Sequence, residues 1–153
     1  MNFNKKMYWE DFIPGQREQI GQVTVDRQEV FEFARRYDPQ PFHINEEEAD
    51  NSIYGGIIAS GWHTCSMVMR LMCDSYLLNS TSLGSPGIEE VKWPRPVYPG
   101  DTLTAFRTVV ETRASTSKPD RGIVKTFWET ENQNGDLVMS MSGINFFLRR
   151  EVG

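Results

Sequence analysis

The chain has 153 residues, of which 39% are hydrophobic, 24% charged and 12% aromatic. A chain of this length buries about 70% of its unfolded surface, enough for one core without a metal or disulfide staple. Sixteen Lys and Arg against 21 Asp and Glu leave a net charge of -5, which argues against a nucleic-acid partner. No apolar run approaches the ~18 residues of a membrane span. Residues 1–11 lack the apolar stretch of a signal peptide. One cytoplasmic domain over residues 1–153, with no membrane contact, is expected.

The opening residues 8–15 are aromatic-rich and close on Pro14-Gly15, a turn signal. Residues 19–25 alternate as a strand does. Asp26 is placed to cap a helix, with Glu29 three positions on, and Val30, Phe31, Phe33, Ala34 and Tyr37 supply its apolar face. Pro39 and Pro41 should stop that helix, since neither donates an amide proton. Asn45 can cap a short acidic turn that follows.

A Gly-rich approach, residues 54–61, leads into a long apolar stretch that reads as helix to about Asn79. Trp62, Cys65, Met69, Met72, Cys73 and Tyr76 fall on one face, and Met67, Val68, Leu71, Leu77 and Leu78 fill the others. A helix apolar nearly all round should be buried on most sides. Cys65 and Cys73 lie eight positions apart, about 12 Å along a helix. Disulfide Cα atoms must approach within about 7 Å, so these two cannot pair within the chain. Strands are expected over 88–93, 102–112, 123–132 and 137–148, with Asn134-Gly135 as the hairpin turn between the last two. The elements amount to an α+β fold: a single domain in which a curved antiparallel sheet wraps a long central apolar helix, the hotdog architecture. Pairing two such domains edge to edge would protect exposed strands.

The densest run of chemically able residues is Asp38-Pro39-Gln40-Pro41-Phe42-His43. It places a carboxylate and an imidazole five positions apart, in a loop that two prolines stiffen. Such a pair can hold a water and move its protons near neutral pH. The same residues also read as a plain turn, with Asp38 capping and His43 partly exposed. Ser60-Gly61 opens the apolar helix, and a helix N-terminus offers amides and a positive dipole to a carbonyl oxygen gaining charge. Gly61 would let a substrate approach the backbone closely; an ordinary cap is the alternative.

These residues resemble the MaoC-like hydratases and dehydratases, above all the (R)-specific enoyl-CoA hydratases. That family's signature has Asp, any residue, Asn-Pro, any residue, His, then five residues and a small one. Here the positions hold Asp38, Pro39, Gln40, Pro41, Phe42, His43 and Ala49. The likeness extends to residues 8–15, 31–37, 54–61 and 91–103. It implies a hotdog fold, a homodimer or dimer of dimers, and syn addition of water to a 2-enoyl thioester, or the reverse. By position, Asp38 and His43 would hold the catalytic water and act as the acid/base pair. The Gly61 amide would bind the thioester oxygen. Tyr37, Gln40, Phe42, Ser60, Trp62 and His63 are the candidate substrate contacts. Gln40 replaces the family's Asn, Arg36-Tyr37 replaces its small-Gly pair, and Met69 stands where some hydratases have a supporting Ser.

His63 can face the pocket mouth or pack against the sheet. Lys92, Arg95, Arg149 and Arg150 can meet coenzyme A phosphates or remain solvated charges. His43, His63 and the cysteines have no recognised metal-ligand spacing, so no metal is expected. No cofactor is expected either, coenzyme A entering only as part of an acyl-CoA substrate. Two other functions fit the fold. A hotdog thioesterase would need a carboxylate near the central helix, where only Asp74 is available. A non-catalytic acyl-binding domain would have Tyr37 or Phe42 blocking the gap between Asp38 and His43.

Overall fold

The computed structural model describes residues 6–151. The outermost residues of the expected 1–153 domain, and the first five of the polar N-terminal stretch, lie outside the described residues. A single turn at Trp9–Asp11 precedes strand β1 (Arg17–Thr24). Helix α1 (Arg27–Tyr37) begins where expected, with the Asp26 carboxylate accepting from the Glu29 amide at 3.0 Å. Asp38 caps its end. Pro39 continues outside the helix, but Pro41 does not act as a stop. It opens a second short helix, α2 (Pro41–Ile44), because the first helical position needs no amide donor. Asn45 then caps α3 (Glu46–Asp50) by accepting from the Glu48 amide.

Helix α4 (Gly61–Met72) is shorter than its apolar run. Past Met72 the chain widens into one i→i+5 turn over Cys73–Leu77, closed by the Leu78 amide donating to the Cys73 carbonyl. Nor is α4 buried on most sides. Val68, Met72 and Tyr76 are buried against the sheet, whereas Trp62 and Met69 are 60% and 45% exposed. A single sheet covers only one flank of a helix, so the face bearing Trp62 and Met69 stays open in one chain. Both cysteines are free thiols.

Strands β2 (Ile88–Lys92), β3 (Thr102–Ala114), β4 (Arg121–Glu131) and β5 (Leu137–Leu148) join β1 in one antiparallel sheet of order β1-β3-β4-β5-β2. The last three strands form the expected meander. Asn132 reinforces the turn at Asn134-Gly135 by accepting from the amides of Asn134 and Asp136, and Gly135 supplies the positive φ of 77°. Strand β2 does not neighbour β3 but lies at the far edge, beside β5. The connection from β2 back to β3 therefore has to cross the fold, and residues 93–101 pass the start of α4.

The core has two parts. Phe12, Val68, Met72, Tyr76, Trp128 and Phe147 fill one, and Val25, Val30, Met67, Val97, Leu103 and Val138 the other. Within the first, the Trp128 indole donates to the Tyr76 hydroxyl at 3.2 Å, giving each buried polar atom a partner. Among the described residues, no helix is long and apolar enough to cross a membrane.

Candidate active site

The end of α1 delivers Asp38, and one turn of α2 later His43 points inward, 4% exposed. Its Nδ1 lies 2.7 Å from the carbonyl of Ile58, the strand-like approach to α4. A carbonyl only accepts, so Nδ1 carries a proton and Nε2 faces the cavity side of the ring. Nε2 sits 3.2 Å from Asp38 Oδ2. The acid and the imidazole are therefore in contact; Asp38 caps α1 as the plain-turn reading has it, but His43 is buried rather than partly exposed.

Two donors and the His43 ring nitrogen converge on the Asp38 carboxylate. Gln40 Nε2 donates to Oδ1 at 2.7 Å, Ser60 Oγ donates to Oδ2 at 2.7 Å, and His43 Nε2 faces the same Oδ2. Partial burial pushes the carboxyl pKa up. The bonds from Gln40 and Ser60 and the charge and bond of His43 together outweigh it and hold Asp38 below the usual carboxylate range. Gln40, the residue that replaces the family's Asn, thus reaches the acid from two positions on.

Ser60 also caps α4, accepting from the Trp62 amide at 3.3 Å. Gly61 is the first residue of the helix, where an amide has no intrahelical acceptor. Its lack of a side chain has a cause that the sequence does not reveal: a Cβ there would fall 2.5 Å from the Trp93 ring. Trp93 is held in place by its indole N–H, which donates to the Gly61 carbonyl at 3.1 Å.

These groups line one cavity of about 390 Å³. Asp38, Gln40, Phe42, His43, Gly61 and Trp62 all border it, as expected. Arg95, considered for phosphates, borders it too, and so do Tyr54 and Trp93, which were not among the expected contacts. Trp93 and Arg95 come from the crossing β2–β3 connection, and Trp93 meets Trp62 edge to face at 5.3 Å. Phe42 leans against the His43 ring without separating it from Asp38.

Three expected contacts lie elsewhere. Ser60 is fully buried beneath the cavity, bonded to Asp38. Tyr37 is 64% exposed and packs on Phe33, turned away from Asp38 and His43. His63 stacks on Phe33 with 4.9 Å between ring centres, in a separate cleft between α1 and α4. Burial pushes its pKa down, partly offset by Glu29, and its Nδ1 is buried without a partner. Of the four basic residues considered for phosphates, only Arg95 borders the cavity. Lys92 pairs with Glu90, Arg150 with Asp11, and Arg149 donates to the Pro119 carbonyl. Among the described residues no three His, Cys, Asp or Glu side chains converge as metal ligands would.

Residues 12–132 match the model of the MaoC like domain. The chain belongs to that family. A MaoC-like dehydratase from Rhodospirillum rubrum, known by its crystal structure, is 38% identical, with a TM-score of 0.86 over 95% of this chain and 99% of that one. An (R)-specific enoyl-CoA hydratase of the same organism is 29% identical over 107 residues, covering 67% of this chain and 69% of its own. The uncharacterized protein YdeM of Bacillus subtilis is 29% identical over 127 residues, covering 83% and 89%. The hotdog fold read from the sequence is that of these MaoC-like structures, and the family supports hydro-lyase chemistry.

Proposed function

We propose that this MaoC-like domain adds water to a 2-enoyl thioester, or removes it from the 3-hydroxyacyl product, with coenzyme A as the carrier and no further cofactor. The observation that carries the reading is the contact between Asp38 and His43 in the cavity that also holds the first residue of α4. When the ring's one proton sits on Nδ1, Nε2 of His43 turns a lone pair towards Asp38, which is itself held as an acceptor. Two facing acceptors are satisfied by a water that donates to both, leaving its own lone pair free.

That water's oxygen attacks Cβ as one of its protons passes to Nε2. The π electrons move towards the thioester oxygen, which the Gly61 amide and the α4 dipole stabilise. The proton then returns from Nε2 to Cα on the same face, which makes the addition syn. Asp38 keeps its charge throughout and steadies the imidazolium.

The alternatives fit less well. Asp74, the carboxylate a thioesterase would use, is paired with Arg70 at 3.0 Å and borders the α1–α4 cleft. Neither Tyr37 nor Phe42 fills the gap that a non-catalytic domain was expected to close.

A homodimer, or a dimer of dimers, completes the proposal. Its support is the apolar surface left open along α4 and β2, where Trp62, Met69, Ile88 and Trp93 are all exposed. Two free thiols accord with a cytoplasmic setting.

Hydration of an enoyl-CoA series beginning with crotonyl-CoA tests the reaction. Asp38→Asn and His43→Ala should each lower turnover by about 10²- to 10⁴-fold in folded protein. Wild-type turnover in both would remove the mechanism, and release of free thiol without hydration would give the site to a thioesterase.

A further inference from the structure

We propose that Ser60 is a positioning residue whose hydroxyl locks the Asp38 carboxylate to the N-terminus of α4, fixing the acid relative to the Gly61 amide. The inference rests on the hydration reading and goes beyond it, because Ser60 was expected to touch substrate.

Ser60 is 0% exposed and does not border the cavity. A hydroxyl has one proton, and that proton is committed to Asp38 Oδ2, while a lone pair accepts from the Trp62 amide. One buried oxygen therefore joins two parts of the site that lie 22 residues apart in sequence. It acts on Oδ2, the oxygen that faces His43, and so directs the lone pair left for a water. Gln40 holds the other oxygen from an exposed position, where solvent competes for the bond. The other polar groups that touch Asp38 or border its cavity include His43 from α2, Tyr54 and Arg95, whereas Arg35 lies over Phe31 and Arg36 over Tyr37.

Ser60→Gly and Ser60→Ala separate positioning from helix capping. Gly is nearly as good an N-cap as Ser, and Ala is much poorer. If Ser60 only caps α4, Ala is the more damaging change; if it positions Asp38, the two are alike. Both variants are expected to lower kcat roughly 10- to 100-fold with KM nearly constant, and Ser60→Thr to restore it. Carbon-13 titration of the Asp38 carboxyl reads the contact without any turnover: in both variants it should titrate at higher pH than in the wild type.

An unmoved Asp38 titration in folded Ser60→Gly overturns the proposal. A raised KM with unchanged kcat also overturns it, and returns Ser60 to substrate binding. If the wild-type protein hydrates no enoyl-CoA in the series, the reaction assignment falls alone, since the carboxyl titration still decides the role of Ser60.

Discussion

The indole of Trp93 lies against the Cα of Gly61 and donates to its carbonyl, so the start of α4 and the crossing connection are fitted to each other. Gly61→Ala places a methyl group 2.5 Å from that ring, and the ring has to move. Overpacking of this kind costs about 1–3 kcal/mol, and the displaced indole should take enoyl-CoA hydration down with it. Trp93→Ala in the same chain should recover the stability lost to Gly61→Ala. Denaturant melts of the two single variants and the double variant check this, and additive losses would mean that the two residues are not coupled.

His63 gives the protein an acid-sensitive point away from the cavity. Its folded pKa lies below the ordinary 6.5 because it is buried, with Glu29 partly opposing the shift. Glu32, Arg36, Arg70 and Asp74 border the same cleft. The unfolded chain therefore takes up the proton first as the pH drops. Stability from this group is complete above about pH 6.5 and declines as pH falls towards the folded value. His63→Phe keeps a ring against Phe33 and removes the titration. Its stability relative to the wild type should rise between pH 7.5 and pH 5; equal pH dependence of the two proteins would remove His63 as the cause.

The open face of α4 predicts an association that can be weighed in solution. Met69→Glu puts a charge in the middle of the exposed apolar surface formed with Trp62 and Ile88. Sedimentation should show the wild-type protein as a dimer or larger and the variant shifted to a single chain. A wild-type protein that sediments as a monomer would refute the assembly.

How much of the site could be read from the sequence follows from how local each part is. Asp38 and His43 are five positions apart with prolines between them, and Gly61 opens a helix whose apolar run is plain. Trp93 and Arg95 come to the cavity through the crossing of β2 to the far edge, a pairing that no local pattern specifies, and Tyr54 reaches it from the loop before α4. Nor does any local signal connect Ser60 to Asp38. The misplaced contacts were partly legible. Gly61 and His63 are two positions apart on a helix, a rotation of about 200°, so they project from opposite flanks. Tyr37 is four positions after Phe33 and shares its side. The true extent of α4 was hidden because the turn at Cys73–Leu77 carries the same apolar residues as the helix before it.

The stretch between Trp93 and Gly100 belongs to no strand ladder, yet it borders the cavity through residues 93–97. It is tied down towards its two ends, by the Trp93 indole to the Gly61 carbonyl at one and by the Ala59 amide to the Val97 carbonyl and the Tyr98 hydroxyl to the Tyr54 carbonyl at the other. Replacements at Pro94, Arg95 or Pro96 can therefore reshape the ligand's surroundings without breaking a pairing of the sheet. Asp38, half-buried and held by the buried His43 and Ser60, has no such latitude. In this molecule selectivity is free to drift on one wall while the chemistry stays anchored to the other.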